Sequence, residues 1–239
     1  MKRETLKPAF LIAANFVREN RWPMLTLLVY VMFFGLATGF MPDPSGEDIV
    51  FFLRSVGVYG LAFTGLMAAS GIYNERRSRR ILAVLSKSVE RGEYLGGLLL
   101  GAMLDAAIYC LAVLGVGTLA LARHGAPVAA VWNLVAVLMA AFLLAGTAAM
   151  FFSTFLHPML AAAFAGGTLA AMAIVGQILG PPWPTLFPAY TLAGAMINFG
   201  VMSWHAPWAA ALVAVIQSVI FWALATLVFA RRDIAVAVE

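Results

Sequence analysis

The sequence predicts an all-helical integral membrane protein with six transmembrane helices. Its 239 residues are 63% hydrophobic and 11% charged, and the mean hydropathy is +0.94. Soluble domains have roughly 45–50% apolar and about 25% charged residues, so a soluble core cannot bury this much apolar surface. Six apolar stretches reach the length of about 20 residues that a helix needs to cross a bilayer.

The six predicted spans are joined by short polar or proline-rich connections within one transmembrane domain, residues 1–239. We place them at Pro23–Met41, Phe51–Tyr73, Tyr94–Ala122, Val131–Phe152, Pro158–Gly180 and Pro207–Ala230.

The positions of lysine and arginine predict the orientation of the spans. Apart from Arg54 and Arg123, these residues lie in the N-terminal segment, in the link between spans two and three, and in the C-terminal tail. Because cytoplasmic loops retain Lys and Arg, both termini and this link are expected in the cytoplasm, with the spans in the cell inner (plasma) membrane. The clusters are too scattered to form a continuous basic face, which argues against a nucleic-acid partner.

Residues 1–22 are predicted to form a separate amphipathic helix at the membrane interface. Apolar residues recur there at helical spacing, and charged residues occupy other positions around the helix. We expect this helix to lie in the plane of the interface among lipid headgroups, with Pro23 starting the first span. A positively charged flank without further function is the alternative. The apolar positions are Leu6, Phe10, Ala13, Phe16 and Val17.

The segment 181–206 is too apolar for a free loop and too interrupted by proline to span. It begins with four prolines in eight residues and continues with an apolar stretch, Leu192–Met202. Irregular backbone at membrane depth is tolerated where protein buries it. We therefore predict a partly re-entrant outer segment of short helices before the last span.

The link between spans two and three, residues 74–93, contains a short apolar helical turn between charged residues. Ile81, Leu82, Val84 and Leu85 form this turn, and basic residues flank it. An amphipathic helix on the cytoplasmic surface presents its apolar edge to something other than lipid, and a groove on a partner protein is a natural receiver.

This link resembles the permease subunits of type-2 ABC exporters. The resemblance rests on Glu75 with the basic cluster that follows, the Ile-Leu-x-x-Leu run from Ile81, and Ser-Lys-x-Val-x-Arg-x-Glu-Tyr-Leu from Ser86. The order of the spans, the N-terminal helix, the tight turn 153–158 and the chain end 229–234 resemble the family too. Ser88 departs from it, since many relatives have proline there.

The resemblance implies a coupling helix that docks into an ATPase subunit. It places this helix at Arg79–Leu85, including Arg80, and it places Glu75 and Arg76 where span two exits toward the partner. It also implies a second permease copy or paralogue, with ATP and Mg bound by the separate ATP-binding cassette subunits.

The chain has no nucleotide-binding loop of its own. Such a loop needs Gly-x-x-x-x-Gly-Lys-Ser/Thr, and none of Lys2, Lys7 and Lys87 follows a glycine. We therefore expect neither ATPase activity nor a bound cofactor in this chain. Cys110 is its one cysteine, and the three histidines are widely separated, so no metal site is expected.

Four polar side chains inside the spans are candidates for the pathway or for helix packing. Asp105 is expected near the middle of span three, where an ionisable group usually faces a bundle interior or an aqueous cavity. Tyr109 shares its face and could donate a hydrogen bond to it. Gln177 and Gln217 are more typical of contacts between helices.

Two other kinds of protein compete with the exporter. An ATP-independent secondary transporter or channel often has inverted repeats, but the basic link after span two has no counterpart after span five. A non-transporting assembly subunit is the third possibility. Substrate identity and the choice between homodimer and heterodimer stay open, although membrane lipids are expected neighbours and a hydrophobic or amphipathic cargo suits the apolar spans.

Overall fold

The computed structural model describes residues 6–40, 46–77, 89–180, 182–197, 199 and 205–231. In these residues the chain forms helices joined by short connections. They are α1 (Leu6–Glu19), α2 (Arg21–Phe40), α3 (Gly46–Arg77), α4 (Arg91–Arg123), α5 (Ala129–Ser153), α6 (Pro158–Leu179), α7 (Trp183–Leu186), α8 (Pro188–Ile197) and α9 (Trp208–Arg231).

Six of these helices, α2 to α6 and α9, are long and apolar enough to cross a membrane. The predicted number and order of spans are therefore confirmed. The helices α3 and α4 are longer than predicted, because each begins several residues earlier in a polar sequence. Acidic residues in the first turn, such as Glu47 and Glu93, favour a helix start through the helix dipole. With 32 and 33 residues, they reach about 50 Å at 1.5 Å per residue.

The bundle has two distinguishable ends. At the basic end, α3 ends at Arg77, α4 begins at Arg91 and α9 ends at Arg231. At the opposite, proline-rich end lie α7 and α8. The helix α5 runs through the middle of the bundle. In its most apolar 18 residues 72% are buried, against 17% in α6.

Helix α1 lies lengthwise along α4 at the basic end. A Cβ atom added at Gly97 would lie 2.9 Å from Ile12 Cβ, and one added at Gly101 would lie 2.7 Å from Phe16 Cβ. Asn20 then reaches the side chain of Asp105. The three contacts advance by four residues on both helices, so α1 runs in the same direction as α4 with closely packed backbones. Because α1 lies lengthwise along a predicted span, the prediction that it lies in the plane of the interface is wrong for its described residues.

This packing changes the expected role of the apolar positions of α1. Ala13 and Phe16, two of the predicted apolar positions, are buried. Ile12, which was not among them, is buried as well, whereas Phe10 is 58% exposed. The predicted apolar positions therefore do not all pack against the other helices. The protein covers one side of α1 and leaves a second apolar side free, because Phe10 lies on a different face from Ile12 and Phe16.

The segment before the last span folds into α7, which has no buried residue, and α8, which packs against the spans. Gly176 in α6 makes room for Phe187, the residue after α7, since an added Cβ would lie 3.2 Å from its ring. Leu192, Met196 and Phe199 are buried. The guanidinium group of Arg54 in α3 donates a hydrogen bond of 3.0 Å to the carbonyl of Phe199.

The close contact between α1 and α4 predicts that even one methyl group will disturb it. Gly101→Ala would place Cβ against Phe16 Cβ, which cannot rotate away. We expect a loss of about 1–3 kcal/mol in the free energy of unfolding, measured as a lower thermal midpoint in detergent. Gly115→Ala on the same helix is the matched control, because nothing lies within 4 Å of its added Cβ. Equal midpoints for the two variants would contradict the proposed packing.

Candidate functional site

The predicted coupling residues lie at the basic end or outside the described part of the chain. Glu75 and Arg76 belong to the last turn of α3, and their side chains are outside the described residues. The segment Arg79–Leu85, with Arg80, Ile81 and Leu82, is also outside them. The structure therefore describes the two ends between which this segment runs, at Arg77 and at Val89.

Close to Val89, where the described chain resumes, Arg91 binds the C-terminal end of α9. Its guanidinium Nη1 donates hydrogen bonds to the carbonyls of Phe229 (3.0 Å) and Ala230 (2.6 Å). The last carbonyls of a helix have no partner within the helix, and a cation near a helix C-terminus is favourable for the helix dipole. Arg91 thus links the start of α4 to the end of α9.

Ring contacts reinforce the basic end. Tyr94 is fully buried and stacks on Phe229 with ring centroids 6.0 Å apart. On α3, Tyr73 meets His157 edge to face at 5.0 Å, so the turn between α5 and α6 lies beside the end of α3. The ends of α3, α4 and α9 and the turn between α5 and α6 therefore lie together at this end of the bundle, beside the described residues on either side of the link 78–88.

Asp105 is buried at the junction of α1 and α2, with 2% of its surface exposed. The side chain of Asn20 lies beside it, but neither carboxylate oxygen meets hydrogen-bond geometry with a described group. Arg21, Trp22 and Pro23 follow Asn20 directly, so Asp105 lies level with the beginning of α2. Asp105 is also the fifteenth of the 33 residues of α4, so it lies near the middle of its own helix as expected.

Tyr109 does not bind Asp105. Its hydroxyl donates a hydrogen bond of 2.6 Å to the carbonyl of Val56 in α3, and not to Asp105, to which its spacing would have allowed it to donate. Its ring packs against Phe142 of α5 and faces Gly60, where an added Cβ would overlap it. Tyr109 therefore ties three spans together through helix packing.

Gln177 and Gln217 both bind the broken segment at the proline-rich end. The Gln177 amide donates to the hydroxyl of Tyr190 in α8 at 3.1 Å. The Gln217 amide donates to the carbonyl of Leu186 in α7 at 2.6 Å. Since Gln217 lies nine residues into α9, α7 reaches about 14 Å along that span.

A cavity of about 640 Å³ lies between α3, α5 and α6 and is bounded by α8. Its walls consist of Ala, Gly, Val, Leu, Ile and Met side chains, with one polar residue, Tyr190. This volume lies within the range of small-molecule sites, which are mostly apolar with a few polar groups. The cavity was not predicted, since its residues look like any lipid-facing stretch in the sequence.

Arg91 was also missed as a structural residue, because the sequence shows it only as one cation among several in the link.

Among the described residues, no group of three or more His, Cys, Asp or Glu side chains is placed to hold a metal ion.

No protein-family model matches the chain, and no curated protein matches it either.

The contacts of Arg91 predict a specific weakness at the end of α9. Arg91→Ala removes two hydrogen bonds from a charged donor, and we expect a loss of about 1–3 kcal/mol in stability. Amides in the last turn of α9 should exchange hydrogen faster, because that turn opens more often. Arg231→Ala is the matched control, since it removes a cation from the same, exposed helix end. Similar exchange in the two variants would show that Arg91 is not what holds the helix end.

Proposed function

We propose that this chain is the membrane-spanning permease subunit of an ATP-driven exporter of the type-2 ABC kind. In this proposal two permease chains, identical or related, form the pathway across the inner (plasma) membrane. Separate ATP-binding cassette subunits bind ATP and Mg and supply the energy. The chain itself catalyses no reaction.

The observation that carries the proposal is the assembly of span ends at the basic end. The link 78–88 leaves α3 near the Tyr73–His157 contact and re-enters α4 at Arg91, which binds the end of α9. A force applied to this link would act on several spans together. That arrangement suits a docking segment at Arg79–Leu85 better than a loop that only carries positive charge.

We propose rigid-body coupling as the mechanism. Closure of the ATPase dimer would push on Arg79–Leu85 and tilt α2, α3 and α6 against the matching half. An outward route would then open beneath α7 and α8, which form the re-entrant cap at the outer surface. The contacts of Gln177 and Gln217 support such a cap, since they attach it to two spans.

The order of the elements favours the exporter over a secondary transporter with inverted repeats. The connection after α3 is long and basic, whereas the connection after α6 contains α7 and α8 and five prolines. Substrate-coupled proton or sodium flux in the absence of ATP would instead identify a secondary transporter.

Orientation can be tested with single cysteines. The basic end should face the cytoplasm, because Lys and Arg are retained there. A membrane-impermeant maleimide added to intact cells should label His124→Cys, whereas Glu90→Cys should be labelled only after permeabilisation. Both positions are exposed. The unaltered chain is the blank, since its one cysteine, Cys110, is buried. Labelling with the opposite pattern would reverse the proposed orientation.

Docking can be tested by placing charge on the apolar turn of the link. The double variant Leu82→Asp, Leu85→Asp should lose nearly all co-purification of the ATPase, because carboxylates cannot enter an apolar groove without a large desolvation cost. His124→Asp, which adds a charge at the proline-rich end, should keep the ATPase. Both variants must elute as the unaltered protein does in detergent. Unchanged ATPase binding in the double variant would contradict docking at this segment.

A further inference from the structure

The cavity between α3, α5 and α6 is elongated along the bundle. Its residues on α6 run from Ala162 to Ile174 at spacings of three and four, which corresponds to about 18 Å of helix. One leaflet of the hydrocarbon core is about 15 Å thick. The cavity is therefore about as long as one acyl chain in a bilayer.

The two ends of the cavity differ in chemistry. Ala149 and Ala162, toward the basic end, are apolar, while Tyr190 lies at the proline-rich end. Because the Tyr190 oxygen accepts a hydrogen bond from Gln177, its own O–H remains able to donate to another acceptor. A ligand with an apolar body and a hydrogen-bond acceptor at one end matches this distribution.

The volume of the cavity is ample for a chain-like ligand. It measures about 640 Å³, and the carbons of an alkyl chain make contacts at about 4 Å. A helix of a second copy could also cover the opening, and in that case the chain-end probe described below would show no specific labelling of the cavity.

The opening faces sideways. Gly166 and Ala170 on α6 and Ala193 on α8 line the cavity and are exposed. In the single chain a ligand can therefore enter from the side of the bundle, without passing through either end.

We propose that this cavity binds one alkyl chain of a single-tailed amphiphile, with its polar head at Tyr190 and its chain end toward Ala149 and Ala162. The identification of this ligand as cargo rests on the proposed function. The binding itself does not.

The test uses purified full-length protein and a palmitoyl lysophosphatidylcholine with a photoreactive diazirine at the end of its chain. Cross-linked peptides should come from α5 and α6 near Ala149 and Ala162. A second probe, with the diazirine next to the head group, should label α8. Labelling of all exposed helices in proportion to their surface, with no difference between the two probes, would overturn the proposal.

Two neighbouring glycines provide a matched pair of variants. Gly166 lines the cavity and Gly167 does not, and nothing lies within 4 Å of an added Cβ at either position. Gly166→Leu should reduce specific labelling about tenfold, while Gly167→Leu should leave it unchanged. Tyr190→Phe should weaken binding about fivefold, as expected for one neutral hydrogen bond. Equal labelling in the two glycine variants would also overturn the proposal.

ATP turnover with the ATPase partner separates cargo from resident lipid. Loss of the probe from the cavity during turnover identifies cargo, and retention identifies a lipid that stays bound. Either result supports binding. The two proposals can fail separately. If the unaltered chain does not bind the probe, but the Leu82→Asp, Leu85→Asp variant loses the ATPase, the alkyl-chain inference is wrong and the exporter proposal stands. If the chain binds the probe specifically but co-purifies with no ATPase, the exporter proposal is wrong and the alkyl-chain inference stands.

Discussion

Close backbone contact along α4 determines how the other helices are arranged. Gly97 and Gly101 admit α1, and Val116 meets Gly35 of α2. Gly117 accommodates Leu53 of α3 and Val131 of α5. In lipid there is little hydrophobic force between helices, so small residues that permit close packing decide which surfaces associate. The direction of α1, the level of Asp105 and the position of α3 all follow from these contacts.

The spans could be predicted because hydropathy is a property of each stretch by itself. The hydrogen-bond partners of the polar side chains could not be predicted in this way. The spacing allowed Tyr109 to donate to Asp105, four residues away on its own helix, but the carbonyl that it reaches is that of Val56 on another span. Likewise, Gln177 and Gln217 were expected to join helices, and nothing in their spacing indicates that both hold the segment formed by α7 and α8.

The candidate site was predicted only in part, for the same reason. The basic link is visible as a sequence pattern, and its central residues lie outside the described part of the chain. Arg91 gains its role from Phe229 and Ala230, which are far away in sequence. The cavity arises where four helices leave space between small side chains, and composition does not distinguish such a wall from a surface that faces lipid.

The two glutamine contacts have a mechanical consequence. The segment of α7 and α8 continues directly from α6 and is hydrogen-bonded to both α6 and α9, so these spans cannot part at that end without breaking the attachment. Any rotation of α6 relative to α9 would then pivot there, and displacement would grow with distance from the pivot. The largest movement would occur some 30 Å away, at the opposite tips of the same helices.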